Sequence, residues 1–419
     1  MQMVTSWWSP ATLLLRIRQR WQALDLSWRW AVKLFLGYRI VFSIWAAWVS
    51  AVFPRYAPEA AVPLWPIVVP PALWIRRAVL WPIVRYDVLW YVGIAEHSYA
   101  YREGSTAFHP LYPLLMGLFG RLIGGHYLLA GWLIAQICCV AMLALLYRLV
   151  LLDYDAGVAQ RATLFLIGSP LGFVFMLPYA ESLLLLGIVG AFYAARRRRW
   201  WLAGFAGACA ALSKQPGVVV VLPLLWELWH QQRDALRARR LRPLVGPLLG
   251  LALIPLGLLA FLAYRASYGD IGFWLSNPGS LVSALLVTPT YQDIWGHYFA
   301  WPWQSFAFAI ERLRTAPSFY LVLNTCLMLI AVVLILYSAM RQRPSYTLYS
   351  IALMLLNMSI IFPLVPYISV VRRFTIIFPL FIQLAIWGRS RGLTLLIMSC
   401  NTLLWVYISE AYVRNAYIP

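Results

Sequence analysis

The sequence predicts an all-α polytopic membrane protein, and three features of it carry that prediction. Hydrophobic residues make up 63% of the 419 positions and charged residues only 11%, more apolar surface than a soluble domain can bury. Several apolar windows reach the roughly 17–25 residues that cross a bilayer as a helix. The Lys and Arg residues fall in short runs between those windows, as expected from the positive-inside rule.

The placement of Lys and Arg predicts eleven spans, with the N-terminus in the cytoplasm and the C-terminus outside. If segment 108–123 lies flat on the outer surface, 20 of the 34 Lys and Arg residues fall on one side. If that segment crosses the membrane instead, the N-terminal basic cluster and the run RRRR at 196–199 fall on opposite sides. The predicted spans are 34–53, 126–151, 157–176, 179–195, 200–213, 217–230, 244–265, 317–340, 346–365, 373–388 and 392–409.

Two long connections are predicted on the extracytoplasmic side, over 54–125 and 266–316. Both contain short apolar stretches broken by Pro and Gly, such as VPLWPIVVPPALWI in the first. We expect juxtamembrane helices there, and an amphipathic interfacial helix in WPWQSFAFAIERL of the second. No internal repeat or low-complexity linker divides the chain, so residues 1–419 are predicted to form one integral membrane domain.

Composition also argues against two other classes of function. The net charge of +20 comes from arginines in short loops between apolar segments, which does not indicate nucleic-acid binding. The five cysteines lie within apolar segments and lack metal-binding spacing. His97 and His109 are twelve positions apart with no HxxxH partner. We therefore expect no metal and no cofactor.

Two acidic residues are expected at the outer face, and an ionisable side chain at bilayer depth costs about 2.5–3.5 kcal/mol. Asp87 precedes the helical pattern VLWYVGIAEHSY, and both helix capping and chemistry are open for it. Glu181 follows Pro170 and Pro178, which break the chain near the outer surface. A structural ion pair and a functional role are both open for Glu181.

Three cations are expected at the same face. Lys214, in AALSKQPGVVVVLP, is either a snorkelling lysine or, beside acids, a contact for an anion or phosphate. Arg372 and Arg373, in VVRRFTIIFPLF, oppose the positive-inside bias. A bound phosphate would balance the positive charge of these two arginines, since guanidinium binds phosphate oxygens bidentately. Pairing with acids or with outer-leaflet phospholipid is the alternative.

These residue types suit the transfer of a sugar from a lipid phosphate to a hydroxyl group. Such a reaction needs a carboxylate base to activate the acceptor and cations to stabilise the departing phosphate. The segments RYDVLWYVGIAEHSY, AFHPLYPLL, PYAESL, LSKQPG, YGDIGFW, WPWQSF and VVRRFTIIFPLF resemble, in the same order, segments of the PIG-V-like mannosyltransferases. That family belongs to the GT-C superfamily of multi-span glycosyltransferases. The resemblance extends over about 85–385.

The resemblance implies a GT-C-like fold and a set of residue roles. It implies Asp87 as the catalytic base. It implies a donor or phosphate site in which Glu181, Lys214 and Arg373 occupy matching motif positions, and to which we add Tyr179 and Arg372. Substrate-binding candidates are Glu96, His97, His109 and Tyr112; the first three are alternatively filler in the interfacial loop. Departures from the family pattern are Tyr86 for Trp, Ser98 for Gly, His109 for Phe and Lys214 for Arg.

The resemblance also implies the substrates. The donor would be a polyprenyl- or dolichyl-phosphate sugar, the acceptor a glycolipid or glycan hydroxyl, and the transfer inverting and metal-independent. The active site would face the extracytoplasmic side of a bacterial-type plasma membrane, in contact with membrane lipids. The alternatives are a transporter or flippase of a lipid-linked or small polar substrate, and a lipid-binding subunit without activity. Transporters more often show repeat symmetry and broken helices at mid-membrane, whereas the unusual charges here gather at one face.

Overall fold

The computed structural model describes residues 19, 21–54, 84–101, 104–266, 298–361, 367 and 370–415. Nearly all of this part of the chain is helical, which confirms the predicted all-α polytopic class. The stretch VPLWPIVVPPALWI and most of the second long connection lie outside the described residues.

The described residues up to 266 contain nine α-helices, several of which begin at a residue suited to capping. The Asp25 carboxylate accepts a hydrogen bond from the Ser27 amide, and Asp155 does the same for Val158, so each satisfies a backbone donor that the helix leaves unpaired. The helices are α1 (Leu26–Val52), α2 (Asp87–His97), α3 (Leu111–Leu122), α4 (Tyr127–Val150), α5 (Ala156–Ile167), α6 (Glu181–Arg196), α7 (Trp200–Ser213), α8 (Val221–Arg237) and α9 (Arg242–Ala266).

The described residues from 298 onward add six α-helices and a two-stranded sheet. The strands β1 (Tyr298–Phe299) and β2 (Ile360–Ile361) pair antiparallel, with Tyr298 opposite Ile361. This pairing joins the end of the second long connection to the residues that follow the helix Pro344–Met358. The helices are α10 (Pro302–Thr315), α11 (Phe319–Ala339), α12 (Pro344–Met358), α13 (Val370–Phe374), α14 (Phe378–Trp387) and α15 (Arg391–Val413).

Five of the described helices are long and apolar enough to cross a membrane: α1, α4, α9, α11 and α15. Each coincides with a predicted span. The other predicted spans contain shorter helices, so the total of eleven stays a prediction. The predicted span 157–176 consists of α5 followed by a 3₁₀ helix over Gly172–Met176. At Gly172 an added Cβ would lie 1.8 Å from the Ile167 carbonyl oxygen, so the tight bend between these helices requires glycine.

Segment 108–123, predicted to lie flat, contains the twelve-residue helix α3. At 1.5 Å per residue such a helix is about 18 Å long, well short of the roughly 30 Å hydrocarbon core. One side of α3 packs on α2 and α4, and Leu114, Leu118 and Leu122 on the other side are exposed. The length and the exposed apolar side both suit a helix embedded in the membrane surface.

The centre of the bundle is formed by α4 and α6 together with α7, and it brings three helix ends to one face. Tyr147, Phe165 and Phe192 are fully buried in the main hydrophobic cluster. Helices α7 and α9 approach so closely that a Cβ on Gly204 would lie 1.8 Å from the Gly250 carbonyl oxygen. Small residues permit such close helix contacts in membranes. This packing fixes the end of α7, where Lys214 follows.

Candidate active site

Asp87 is the first residue of α2, and its side chain is not engaged as a helix cap. Tyr86 occupies the capping position with a positive φ of 48°, and no side chain caps the helix there. A carboxylate in the first turn is favoured by the positive end of the helix dipole. Asp87 is therefore held at the helix start with its side chain available for other contacts.

Arg372 joins the two acidic residues that the sequence singled out. Its Nη2 donates to Asp87 Oδ2 at 2.6 Å, and its Nε donates to Glu181 Oε1 at 2.6 Å. Charge-assisted bonds of this length are among the strongest hydrogen bonds in proteins. One guanidinium thus connects the start of α2 to the start of α6.

Lys214 completes the cluster from the end of α7. Its Nζ donates to the same Oε1 atom of Glu181 at 2.6 Å. The following 3₁₀ helix, Gln215–Val220, folds back on α7 so tightly that a Cβ on Gly217 would lie 2.2 Å from the backbone of Ala210. In space, each of these side chains contacts the next in the order Asp87, Arg372, Glu181 and Lys214, so acids and cations alternate. We call these four residues the outer charge cluster.

The outer charge cluster is buried at its centre and open at both ends. The exposed fraction of the side chain is 2% for Glu181 and 16% for Arg372, against 24% for Asp87 and 30% for Lys214. A charge at the centre requires its partners, because an unpaired ion costs several kcal/mol in the interior. The two ends can exchange their contacts with a ligand.

The ring of Tyr179 packs against the guanidinium of Arg372. The guanidinium carbon of Arg372 lies 4.6 Å from the centroid of the Tyr179 ring, a cation–π distance. The Tyr179 hydroxyl donates to the Arg85 carbonyl oxygen at 3.2 Å and lies 3.3 Å from the hydroxyl of Tyr412. Tyr179 therefore links the segment before α2, the segment before α6 and the C-terminal helix α15.

Arg373 follows Arg372 in the five-residue helix α13. Successive helical residues are about 100° apart around the helix axis, so the two side chains leave α13 in different directions. It is Arg372 whose guanidinium reaches the two carboxylates, whereas the family motif matches at Arg373. The residue that bridges the two acids is therefore Arg372, which is next to the motif position Arg373.

His109 lies beside the cluster and is buried. Its Nδ1 donates to the Ala211 carbonyl oxygen at 2.7 Å, and its ring lies 5.0 Å from the Phe261 ring. Burial lowers the pKa of His109 to about 4 because the charged imidazolium loses its hydration. A neutral His109 ties the segment before α3 to the end of α7, next to Lys214.

Of the other three substrate-binding candidates, Tyr112 lies near the cluster, since burial and, to a smaller extent, the Glu181 carboxylate raise the pKa of Tyr112, whereas Glu96 and His97 lie at the surface. Tyr112 is fully buried, and its hydroxyl donates to the Gly131 carbonyl oxygen at 2.8 Å. Glu96 and His97 lie exposed in the last turn of α2, with His97 Nε2 3.8 Å from Glu96 Oε2. Tyr112 thus joins α3 to α4, while Glu96 and His97 remain at the surface about two turns beyond Asp87.

Several residues of this region were not predicted from the sequence. Tyr412 and Arg85 contact Tyr179, but a tyrosine in a C-terminal apolar helix and a backbone carbonyl give no signal in sequence. Trp90 follows Asp87 by three positions, which on a helix means the adjacent turn. That spacing was a usable signal for a neighbour of Asp87. Within the described ranges, no group of three His, Cys, Asp or Glu side chains could hold a metal ion.

A second charge cluster lies at the opposite end of α6. From the sequence, its arginines were expected only in basic loops, and its Glu227 falls inside the predicted span 217–230. Arg196 makes a bidentate pair with Asp153 at 2.7 and 2.8 Å. Arg343 lies 3.2 Å from the buried Glu227, which also accepts a 2.6 Å hydrogen bond from Ser345. We call this the inner charge cluster. It joins the loop after α4 to the end of α6, the interior of α8 and the start of α12.

Comparisons with known proteins give a family for part of the chain and one similar structure. Residues 107–258 match the dolichyl-phosphate-mannose-protein mannosyltransferase family. The fold is similar to the crystal structure of ArnT from Cupriavidus metallidurans bound to undecaprenyl phosphate, with 16% identity and a TM-score of 0.44 over 82% of this chain and 69% of that one. None of the curated proteins compared with the chain matches it.

These comparisons bear on the resemblance stated from the sequence. The matched family consists of mannosyltransferases, and it includes the positions of Glu181 and Lys214 but neither Asp87 nor Arg372. The narrower PIG-V-like resemblance stays a prediction. The similarity to ArnT is too distant to transfer the role of any residue. In residues 107–258 the chain is therefore similar to a family of membrane glycosyltransferases.

Proposed function

We propose that this protein is a membrane glycosyltransferase of the GT-C type. It moves a sugar from a polyprenyl-phosphate donor to a hydroxyl group of a glycolipid or glycan. The observation that carries the proposal is the bridge from Arg372 to both Asp87 and Glu181. Through this bridge, the candidate base Asp87 lies next to the cations that are candidates for binding the phosphate, as sugar transfer from a phosphate requires.

The donor phosphate would bind at the two cations, Arg372 and Lys214. Arg372 presents a planar fork that suits phosphate oxygens, and Lys214 adds a compact charge. In the ligand-free cluster both cations are satisfied by carboxylates. An incoming phosphate therefore competes with Asp87 for Arg372, and binding of the donor releases Asp87 to accept a proton.

The reaction would then proceed as a displacement at the anomeric carbon. The acceptor oxygen forms a bond to that carbon while the bond from the carbon to the phosphate oxygen breaks. The acceptor proton passes to the Asp87 carboxylate, and the electron pair of the broken bond stays on the lipid phosphate. Arg372 and Lys214 stabilise the negative charge that develops there. Attack opposite the leaving phosphate inverts the anomeric configuration.

Glu181 is a positioning residue in this scheme. Its Oε1 accepts hydrogen bonds from both Lys214 and Arg372 and is almost inaccessible to solvent. Two cations held this close would repel each other strongly without an anion between them. Glu181 allows them to remain adjacent before the phosphate arrives.

Three further features belong to the proposal. The family match over residues 107–258 supports mannose as the transferred sugar. The distribution of Lys and Arg supports an active site at the extracytoplasmic face of a plasma membrane, with the N-terminus in the cytoplasm. Transfer without a metal, which the resemblance to the PIG-V-like mannosyltransferases implies, is also part of the proposal.

The Asp87→Asn variant tests the proposal. Purified protein in liposomes is given undecaprenyl phosphate carrying mannose and, as acceptor, octyl α-mannoside. Wild-type protein should form the disaccharide, and Asp87→Asn should lose transfer by at least about a hundredfold, since general-base catalysis contributes 10²–10⁴-fold. Binding of undecaprenyl phosphate should remain.

The matched control is Asp234→Asn, an acid with a largely exposed side chain on α8. It should transfer at the wild-type rate. Normal transfer by Asp87→Asn would refute Asp87 as the base. Uptake of a solute into vesicles without any glycosylated product from wild-type protein would instead favour the transporter hypothesis.

A further inference from the structure

Arginines gather where α6 and α8 end, on the side of the structure remote from the outer charge cluster. Gln231 of α8 donates from Nε2 to the carbonyl oxygen of Ala195, in the last turn of α6, at 3.1 Å, so the two helix ends are in contact. Six exposed arginines follow this contact along the chain: Arg197, Arg198, Arg199, Arg239, Arg240 and Arg242. We call these six residues the basic patch. The proposed reaction does not use them.

The described acids on this side of the structure are paired with arginines outside the basic patch. These pairs are Asp25 with Arg148, Asp153 with Arg196, Asp155 with Arg389 and Glu227 with Arg343. The remaining acid, Asp234, is exposed and lies 4.0 Å from Arg233. Among the described residues, no acid forms an ion pair with an arginine of the basic patch. Its positive charge is therefore uncompensated within this part of the chain.

Two of the six arginines occupy backbone positions that favour glycine. Arg198 has a φ of 60° and Arg239 a φ of 54°, both in the left-handed region. In each case the amide of the next residue donates to the carbonyl oxygen five positions before it, at 2.9 Å after Arg198 and 2.8 Å after Arg239. This is the Schellman ending of a helix, where glycine is the usual left-handed residue. A basic residue at a neighbouring loop position would serve the positive-inside bias without that strain, which indicates a use for the charge at these two positions.

The basic patch lies at the level of a membrane surface. Arg242 is the first residue of α9, and the segment Arg242–Arg265 is long and apolar enough to cross a membrane. Arg199 directly precedes the apolar helix α7, which packs against α9. Exposed apolar side chains follow within three positions, at Trp201 and at Val245. Arginines that adjoin an exposed apolar surface suit the boundary between lipid headgroups and acyl chains.

We propose that the basic patch binds the headgroups of anionic phospholipids, in the leaflet opposite the outer charge cluster. A guanidinium binds phosphate oxygens bidentately, and a group of uncompensated arginines attracts lipids with a net negative charge. The adjoining apolar side chains favour a lipid over a nucleic acid or an acidic soluble protein, because they can contact acyl chains. This inference goes beyond the proposed sugar transfer and does not depend on it.

The test compares two lipids that differ in net charge. Purified protein in dodecyl maltoside micelles is titrated with dioctanoyl phosphatidylglycerol or dioctanoyl phosphatidylcholine, and binding is followed by microscale thermophoresis. Both lipids carry one phosphodiester, but only phosphatidylglycerol is anionic. Wild-type protein should bind phosphatidylglycerol more tightly, and 1 M salt should remove most of the preference because the Debye length falls to about 3 Å. Equal affinities for the two lipids at low salt would refute the proposal.

Arg198→Gly combined with Arg239→Gly removes two charges from the basic patch without straining the fold. Glycine suits both left-handed positions, so the thermal midpoint without lipid should be at least that of wild type. The affinity for phosphatidylglycerol should fall about thirtyfold, since each basic residue near an anionic lipid surface contributes about fivefold. The affinity for phosphatidylcholine should not change. Arg198→Lys combined with Arg239→Lys keeps both charges and should bind phosphatidylglycerol nearly as tightly as wild type.

The matched control removes two exposed arginines near the starts of α4 and α11, through Arg121→Gln combined with Arg314→Gln. This variant has the same net charge as the glycine variant and should bind phosphatidylglycerol like wild type. An equal loss in both variants would mean that net charge alone determines binding, and the proposal would fail. An unchanged affinity in the glycine variant would also refute it.

A polythymidine oligonucleotide serves as a soluble polyanion in the same titration. We expect it to bind more weakly than phosphatidylglycerol, because it cannot use the apolar side chains beside the basic patch. Tighter binding of the oligonucleotide that is lost in the glycine variant would assign the basic patch to a soluble polyanion and overturn the lipid proposal.

Discussion

Arg372 donates from Nη2 to the Oδ2 atom of Asp87 at 2.6 Å, although 285 positions separate the two residues in the chain. The bond ties the start of α2 to the short helix α13. Because Arg372 also holds Glu181, the three side chains cannot move independently. Several expected outcomes follow from this coupling and from the inner charge cluster.

Replacing Arg372 by Lys should remove most of the activity while keeping the charge. A lysine ammonium cannot contact both carboxylates with the geometry of a guanidinium fork. We expect transfer to fall about a hundredfold, as for loss of one preorganised donor at a developing charge. Initial rates with mannosyl undecaprenyl phosphate measure this. Arg314→Lys, in an exposed position of α10, is the control, and wild-type rates in Arg372→Lys would contradict the bridge.

Glu181→Gln should destabilise the ligand-free protein and make it more responsive to phosphate. The substitution leaves Lys214 and Arg372 adjacent without the anion that separates them. We expect a lower thermal midpoint in detergent. Undecaprenyl phosphate should raise the midpoint by more than in wild type, because its phosphate can take the place of the missing charge. Equal responses of the two proteins would argue against the positioning role.

Breaking the inner charge cluster should lower the stability of the protein without lowering its rate of sugar transfer. Asp153→Asn removes the bidentate pair with Arg196, whose side chain is mostly buried. Loss of one partner of such a pair costs roughly 3 kcal/mol, because the other charge is left uncompensated. Thermal unfolding measures the loss. Transfer per folded molecule should equal that of wild type, since α6 separates the two clusters by about 22 Å at 1.5 Å per residue.

Acid should destabilise the protein through His109. Its folded pKa of about 4 lies below the ordinary value of 6.5, so the unfolded chain binds a proton before the folded one does. The stability that neutral His109 provides is complete above pH 6.5 and is lost as pH falls from 6.5 towards 4, by roughly 2 kcal/mol at pH 5. Between pH 7 and 5, the thermal midpoint of His109→Gln should change less than that of wild type. The exposed His97→Gln should follow wild type.

The predicted topology places the ends of α2 and α6 on opposite sides of the membrane. In a background without the five native cysteines, Ala100→Cys and Arg198→Cys should react from opposite sides with a maleimide that does not cross membranes. Both residues are exposed in the structure. Labelling of both from one side would overturn the flat placement of segment 108–123 and the count of eleven spans.

Helix positions followed from the sequence because apolar length is a local property. The span predicted over 126–151 is the helix Tyr127–Val150, and that over 200–213 is Trp200–Ser213. The sequence also brought Asp87, Glu181 and Lys214 to one face, since alternating spans put every second helix end on the same side. The structure places those three residues in one cluster.

The pairing of the charges did not follow from the sequence. Arg372 and Arg373 are equivalent as residue types, and only the direction in which α13 presents each side chain gives the bridge to Arg372. The inner charge cluster was missed for a related reason. Arg196 and Arg343 belong to basic loops, where the positive-inside bias already explains their presence, so nothing in the sequence pointed to Asp153 or Glu227 as partners.

The sequence was enough to predict the class of this protein, its long helices and a set of residues expected at one face. Each of these depends on apolar runs and charge placement along the chain, and the bilayer imposes both. The tertiary structure alone decided that Arg372 holds Asp87 and Glu181, and that Trp90 stacks on Phe108 beside the candidate base. Contacts between residues so far apart in sequence depend on how helices pack and rotate against each other, which no local pattern encodes.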